Sequence, residues 1–237
     1  MRTITKLPEP PCLAQLRAQP GAVFDDRGLE SAPHVESGTP MLSSACKQTL
    51  REQLWKEQRG LCCYCCNGIV ASEDGMRIEH WKPLKRFPEH QLEYWNLMAA
   101  CPGNEGQEGL EHCDVRKGNQ DLSKNPSNPQ HRLEETIHYL NNGEVRSTDS
   151  QLDSELGENP RVIKRSYERV LNLNVPFLRK NRIGVLTGFT AGLTKRGTLD
   201  RPALERLVRK WSGTEPGQLE AFAPVVVWWL TKRLNRA

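Results

Sequence analysis

The spacing of apolar residues changes along the chain, and each change predicts a different kind of element. Over Ser44 to Gly60, Leu50, Leu54 and Trp55 fall on one side of a helix, with Gly60 as its stop. From 61 to 122 the apolar pieces are short and cut by Gly, Pro and Asn. Met76-Arg77-Ile78-Glu79-His80 reads as one strand, ended by Pro83, which cannot continue a central ladder. Asn96 to Ala100 reads as a second short strand or extended segment, and Asp114, followed by Arg116 and Lys117, opens a helix. NPSNP at 125–129 marks a break. Beyond it Ile163, Tyr167, Val170, Leu171 and Asn174 recur at helical spacing until Pro176 ends or restarts the helix. Two later helical segments cover 201–211 and 218–234, and their apolar stripes read as core faces. Residues 1–40 carry six prolines and little periodicity. The pattern therefore predicts an extended N-terminal arm (1–43), a core (44–124) and a helical C-terminal region (125–237). The expected class is α+β, predominantly helical.

Composition narrows this picture modestly. At 237 residues, 37% of them hydrophobic, the chain is long enough to bury a core without staples. The longest apolar run, Val225 to Leu230, is far short of the roughly 20 residues of a membrane span, so no membrane partner is expected. MRTITKLPEP has no apolar stretch after its charges, which reads as no signal peptide and a cytoplasmic protein. In that compartment clustered cysteines point to metal or redox chemistry rather than disulfides. The net charge of +4 says little, but it is unevenly placed. Residues 161–182 hold seven Lys and Arg against Glu168 alone, while 149–158 carry four acids. So dense a basic segment is either a phosphate-attracting surface or the solvated face of a helix. No G-x-x-x-x-G-K-[ST] loop is present, so ATP binding by that route is not expected.

The cysteines change the picture most. GLCCYCC, residues 60–66, offers two interleaved C-x-x-C pairs, Cys62/Cys65 and Cys63/Cys66. Such a turn presents two thiolates to zinc, and the other two ligands are expected from Cys101 and Cys113, with His112 as a substitute by type. Cys12 and Cys46 stand upstream with no partner turn. Four filled positions would make the site structural. Between the cysteine pairs sits Glu79-His80: a histidine suits general-base work near neutral pH, and a carboxylate suits Mg²⁺. Alone, that pair reads equally as surface residues, and Asn96 as a turn or capping residue.

The whole order, C-x-x-C, E-H-x-x-P, W-N-L, C, then C-D-x-x-K, resembles the HNH (ββα-metal) endonucleases of the four-cysteine type. Through CxYC, RIEHWKP, YWNLMAAC, CDxxKG and a later LNLN it is similar to the bacterial family of PtuB. PtuB is the HNH subunit of the Septu anti-phage system, also found beside some retrons. The likeness runs from about Trp55 to the C-terminus and favours Cys62/Cys65 as the knuckle. It implies a zinc-stapled core in which His80 is the general base, Glu79 the acid before it, and Asn96 the residue orienting the loop. Asp114 takes a third position where the family has His or Asn, a departure that leaves His112 and Asn119 as other candidates. The resemblance further implies a catalytic Mg²⁺ or Mn²⁺ held by Glu79 and Asp114. Phosphate contacts are then expected from Lys82, Lys85, Arg86, Arg116 and Lys117. A nucleic-acid substrate follows, DNA favoured and transfer RNA the alternative, together with a partner ATPase of the PtuA type docking on the helical region. The competing class is a non-catalytic zinc module that docks a partner or DNA.

Overall fold

A computed structural model describes residues 1–25, 38–157, 170–194, 199–213 and 217–236. Its scaffold grows from one helix, α2 (Ser44–Gln58), preceded by a shorter α1 (Pro11–Arg17). Ser43 caps α2 by accepting from the Cys46 N–H, and Arg59 in the left-handed conformation closes it. Leu50 and Leu54 are fully buried along its inner side. Gln58, in the last turn, donates to the carbonyls of Leu61 and Ala99 and accepts from the Ala99 N–H, all at 2.7 Å. A buried amide used in this way ties the helix end to the strand beside it.

That strand is β2 (Leu97–Ala100), which pairs antiparallel with β1 (Arg77–His80), Glu79 opposite Met98 and His80 opposite Leu97. A five-residue helix, α3 (Cys113–Lys117), follows. Next come the short α4 (Leu133–Thr136), a second antiparallel pair of β3 (Ile137–Tyr139) with β4 (Val145–Ser147), and α5 (Ser150–Leu156), capped by Asp149. The chain ends in α6 (Pro176–Thr194), α7 (Arg201–Ser212) and α8 (Ala223–Leu234), which share a small core of Leu204, Val226 and Leu230. The class is thus mixed helix with two small antiparallel sheets. Among the described residues no helix is long and apolar enough to cross a membrane.

Three expectations need correction. The N-terminal segment follows an irregular path, but it is not a free arm: Met1, Ile4, Leu13 and Phe24 are buried in the same core as Leu50 and Leu54. Cys12 is disulfide-bonded to Cys46, joining α1 to α2, so this pair departs from the thiol reading of the cysteines. Of the basic stretch, only part is described, and two of its arginines are engaged within the fold. Residues 161–169 lie outside the described residues, as does Glu158 of the acidic run. Arg182 is buried, and its guanidinium donates to the carbonyls of Gly143 and Leu173. Arg179 donates to Asn142 O and lies 3.6 Å from Glu144. These arginines staple the β3–β4 turn to α6 rather than facing a phosphate backbone. The predicted helix through Ile163 and Tyr167 falls outside the described residues, and 170–175 are not helical.

Candidate metal centre and the carboxyl–histidine centre beside it

The knuckle forms because the chain turns back on itself directly after α2. Cys62 N–H donates to Asn67 O, Cys66 N–H to Cys62 O, and Cys66 takes a positive φ of 62°. Cys101 leaves the end of β2, and Cys113 begins α3, anchored by its N–H on Leu171 O. The ligand atoms of Cys62, Cys65, Cys101 and Cys113 all lie within 4.8 Å of one another, and all four residues are buried. Cys62 and Cys113 sulfurs are 3.8 Å apart, those of Cys65 and Cys101 3.7 Å. Four sulfurs about 2.3 Å from a tetrahedral zinc would be about 3.8 Å apart, so the spacing fits that ion.

The electrostatics also call for a cation. Burial raises the Cys113 thiol well above its usual range. Cys62, against its own burial, is drawn well below that range by hydrogen bonds from Cys101 and Cys113. Buried sulfurs this close cannot all ionise without a compensating charge, and an ion shared by all four removes the conflict. His112 is not one of the four. Its Nε2 lies 3.6 Å from Cys101 Sγ and its Nδ1 3.2 Å from Leu110 O; with Nδ1 committed to a carbonyl, Nε2 donates to the sulfur only as imidazolium, the form that Cys101 favours against burial. Cys63 and Cys66 are buried beside the knuckle but outside the tetrad.

A second cluster adjoins the first through Tyr64, the residue between the two knuckle cysteines. The Tyr64 hydroxyl donates to Glu79 Oε1 at 2.6 Å, and Lys117 Nζ sits 2.8 Å from the same oxygen. Lys117 also donates to the His80 carbonyl at 2.8 Å, joining α3 to the end of β1. Alternation along β1 places Arg77 and Glu79 on one face. Arg77 Nε donates to Asp114 Oδ2 at 2.7 Å. Burial first, then the Asp114 charge, holds Glu79 well above the usual carboxyl range. Asp114 is held low despite burial, by its hydrogen bond with Glu79 and by the Arg77 charge. Of the two carboxyls, Glu79 is the more readily protonated.

His80 falls on the opposite face of β1. Its Nε2 is 2.9 Å from the Gln91 carbonyl, and the edge of its ring meets Phe24 at 4.6 Å between centroids. A carbonyl only accepts, so Nε2 carries a proton. Asn96 is fully buried. Its Oδ1 accepts from Lys82 N–H at 2.6 Å, while Nδ2 donates to Lys82 O and His90 O at 3.1 and 3.0 Å. One side chain thereby clamps both arms of the loop between β1 and β2.

The expected phosphate contacts divide. Lys85 and Arg86 are exposed, and Lys82 and Arg116 are half-buried. Lys117 is a correction: it is 1% exposed and held by Glu79 and the His80 carbonyl, so no phosphate reaches it. Glu79 as a metal ligand meets a related objection, since its Oε1 is already shared by Tyr64 and Lys117. Among the described residues, only the four cysteines gather three or more ligating groups. Tyr64, Arg77 and Gln91 were not singled out from the sequence, because each acts through a partner more than ten positions away. No protein-family model matches the chain, and no curated protein matches it.

Proposed function

We propose that the chain is an HNH-type endonuclease that hydrolyses phosphodiester bonds, DNA favoured, with structural zinc at Cys62, Cys65, Cys101 and Cys113. One observation carries the reading most directly. A two-stranded hairpin and a short helix, joined by the sulfur cluster, present His80 with its Nε2–H held by Gln91 O, in a loop braced by Asn96. In this reading His80 takes the proton of the attacking water, and the Gln91 carbonyl stabilises the resulting imidazolium through Nε2–H. Asp114 fits a hard divalent cation by donor type and partial exposure, with Glu79 behind it. Mg²⁺ or Mn²⁺ there would supply Lewis-acid stabilisation of charge on the phosphate and leaving oxygen. Arg77 and Lys117 hold the carboxyl pair in place. Anti-phage action with a partner ATPase docked on 125–237 rests on the resemblance alone.

A second reading, a non-catalytic zinc module, draws on the burial of His80 and the engagement of Glu79 by Lys117. Plasmid DNA and total RNA incubated with the chain, with and without the ATPase, separate the readings. DNA nicking by the zinc-loaded chain that appears only when Mg²⁺ or Mn²⁺ is added is expected. RNA cleavage alone would move the substrate to RNA. No cleavage of either, with the ATPase present, would leave the zinc module.

A further inference from the structure

We propose that the cleft between Trp81, Trp95 and the 125–131 loop binds an unpaired nucleobase of a single-stranded nucleic acid, an inference that deepens the nuclease reading and rests on it for its biological sense. The cleft has a volume of about 400 Å³ and is lined by both tryptophans, Asn125, Asn128 and His131. Trp95 is 39% exposed, unusual for so large an apolar ring. It stands in a continuous row of rings: Trp81 at 6.2 Å, His90 at 5.1 Å, and Phe87 beyond His90 at 6.4 Å. Cations interleave with this row. Lys82 Nζ lies 4.8 Å from the Trp81 ring centre and 4.6 Å from that of Phe87, and Arg86 lies 5.5 Å from Phe87. The two cations share one carboxylate, Asp121, at 3.9 and 3.0 Å, and Glu89 lies 3.8 Å from His90.

Aromatic faces beside cations are what a single strand needs, because each base offers a π-face and each linkage a negative charge. The opposite wall supplies polar edges. His131 Nδ1 lies 2.7 Å from Asn125 N and 3.1 Å from Asn125 O, and its Nε2 lies 3.4 Å from Asn128 Nδ2. Amide and imidazole groups of this kind pair with the carbonyl and ring-nitrogen edges of a base. A base inside a duplex has both faces stacked and its pairing edge used, so the cleft selects unpaired nucleotides. Position strengthens the case: Trp81 directly follows His80, and Trp95 directly precedes Asn96. A base held here lies against the loop that begins directly after His80, the last residue of β1.

The test is binding without turnover. Tryptophan fluorescence and anisotropy of a labelled 12-nucleotide single strand are measured on the full, zinc-loaded chain without added Mg²⁺ or Mn²⁺, against the same sequence as a duplex and as RNA. The expected result is preference for either single strand over the duplex by at least about tenfold. Trp95→Ala should weaken single-strand binding about tenfold and Trp95→Phe by less than about threefold, since one stacked base contributes on that scale. Preference for DNA or RNA between the single strands assigns the source of the base. Equal binding of duplex and single strand, or unchanged binding by Trp95→Ala, would overturn the proposal. So would capture of a proline-rich peptide at the same tryptophans with no binding of the oligonucleotide, which would make the cleft a peptide groove. Cleavage is not needed for this readout. Binding without cleavage removes only the nuclease reading, and cleavage without Trp95-dependent binding removes only this one.

Discussion

Tyr64 joins two clusters built on opposite principles. At the cysteine cluster four side chains of one kind converge on a point, and their spacing matches a single ion. At the carboxyl–histidine centre every charged group already has a protein partner: Glu79 has Tyr64 and Lys117, Asp114 has Arg77, and His80 has the Gln91 carbonyl. The first cluster therefore needs something from outside to be stable, while the second is stable as it stands. A group that needs an ion is a clamp, and groups poised by their neighbours are suited to chemistry.

That contrast can be broken most forcefully at the sulfurs. Zinc removal by a chelator, or Cys101→Ser, should unfold the region around the hairpin, because structural zinc sites contribute about 10–16 kcal/mol in small domains. Metal analysis should give one zinc per wild-type chain; a folded, zinc-free protein would refute the clamp. Next in size is Lys117→Met. Removing one partner of a buried ion pair costs about 3–5 kcal/mol, read as a lower urea midpoint, and zinc content should not change. A loss below about 1 kcal/mol would mean that Glu79 does not depend on this lysine. Asn96→Ala should cost about 1–3 kcal/mol, since it leaves buried loop groups unpaired, and amide exchange should quicken in 81–96. Tyr64→Phe is the mildest, about 1 kcal/mol, because Lys117 still holds Glu79. An effect of Tyr64→Phe as large as that of Lys117→Met would show that the two clusters are not separable.

Residues whose partners are near in sequence, or alike in type, were legible in advance. Both strands of the first hairpin, the long helix before the knuckle and a cysteine tetrad completed by Cys101 and Cys113 follow from local pattern and ligand chemistry, while the choice of Cys62/Cys65 over Cys63/Cys66 came from the family resemblance. Lys117 was misread because a basic residue beside Arg116 looks like surface, and only the meeting of α3 with the end of β1 buries it. The Cys12–Cys46 bond was equally hidden, since spacing does not identify a cysteine's partner. The β3–β4 hairpin did carry a local signal, Asn142-Gly143 between Tyr139 and Val145. It was overlooked beneath the helical character of the region around it. Gly143 takes a φ of +78°, and a Cβ there would lie 2.3 Å from Arg179 O, so the turn has no room for a side chain.

The division of labour between the two clusters is tested most directly by one preparation of His80→Ala, assayed for both zinc and cleavage. The account predicts one zinc per chain and a folded protein that loses no more than the about 1–3 kcal/mol of a broken buried hydrogen bond, with metal-dependent cleavage reduced at least about a hundredfold, the scale of a lost general base. Cleavage at the wild-type rate, or loss of zinc together with activity, would contradict it.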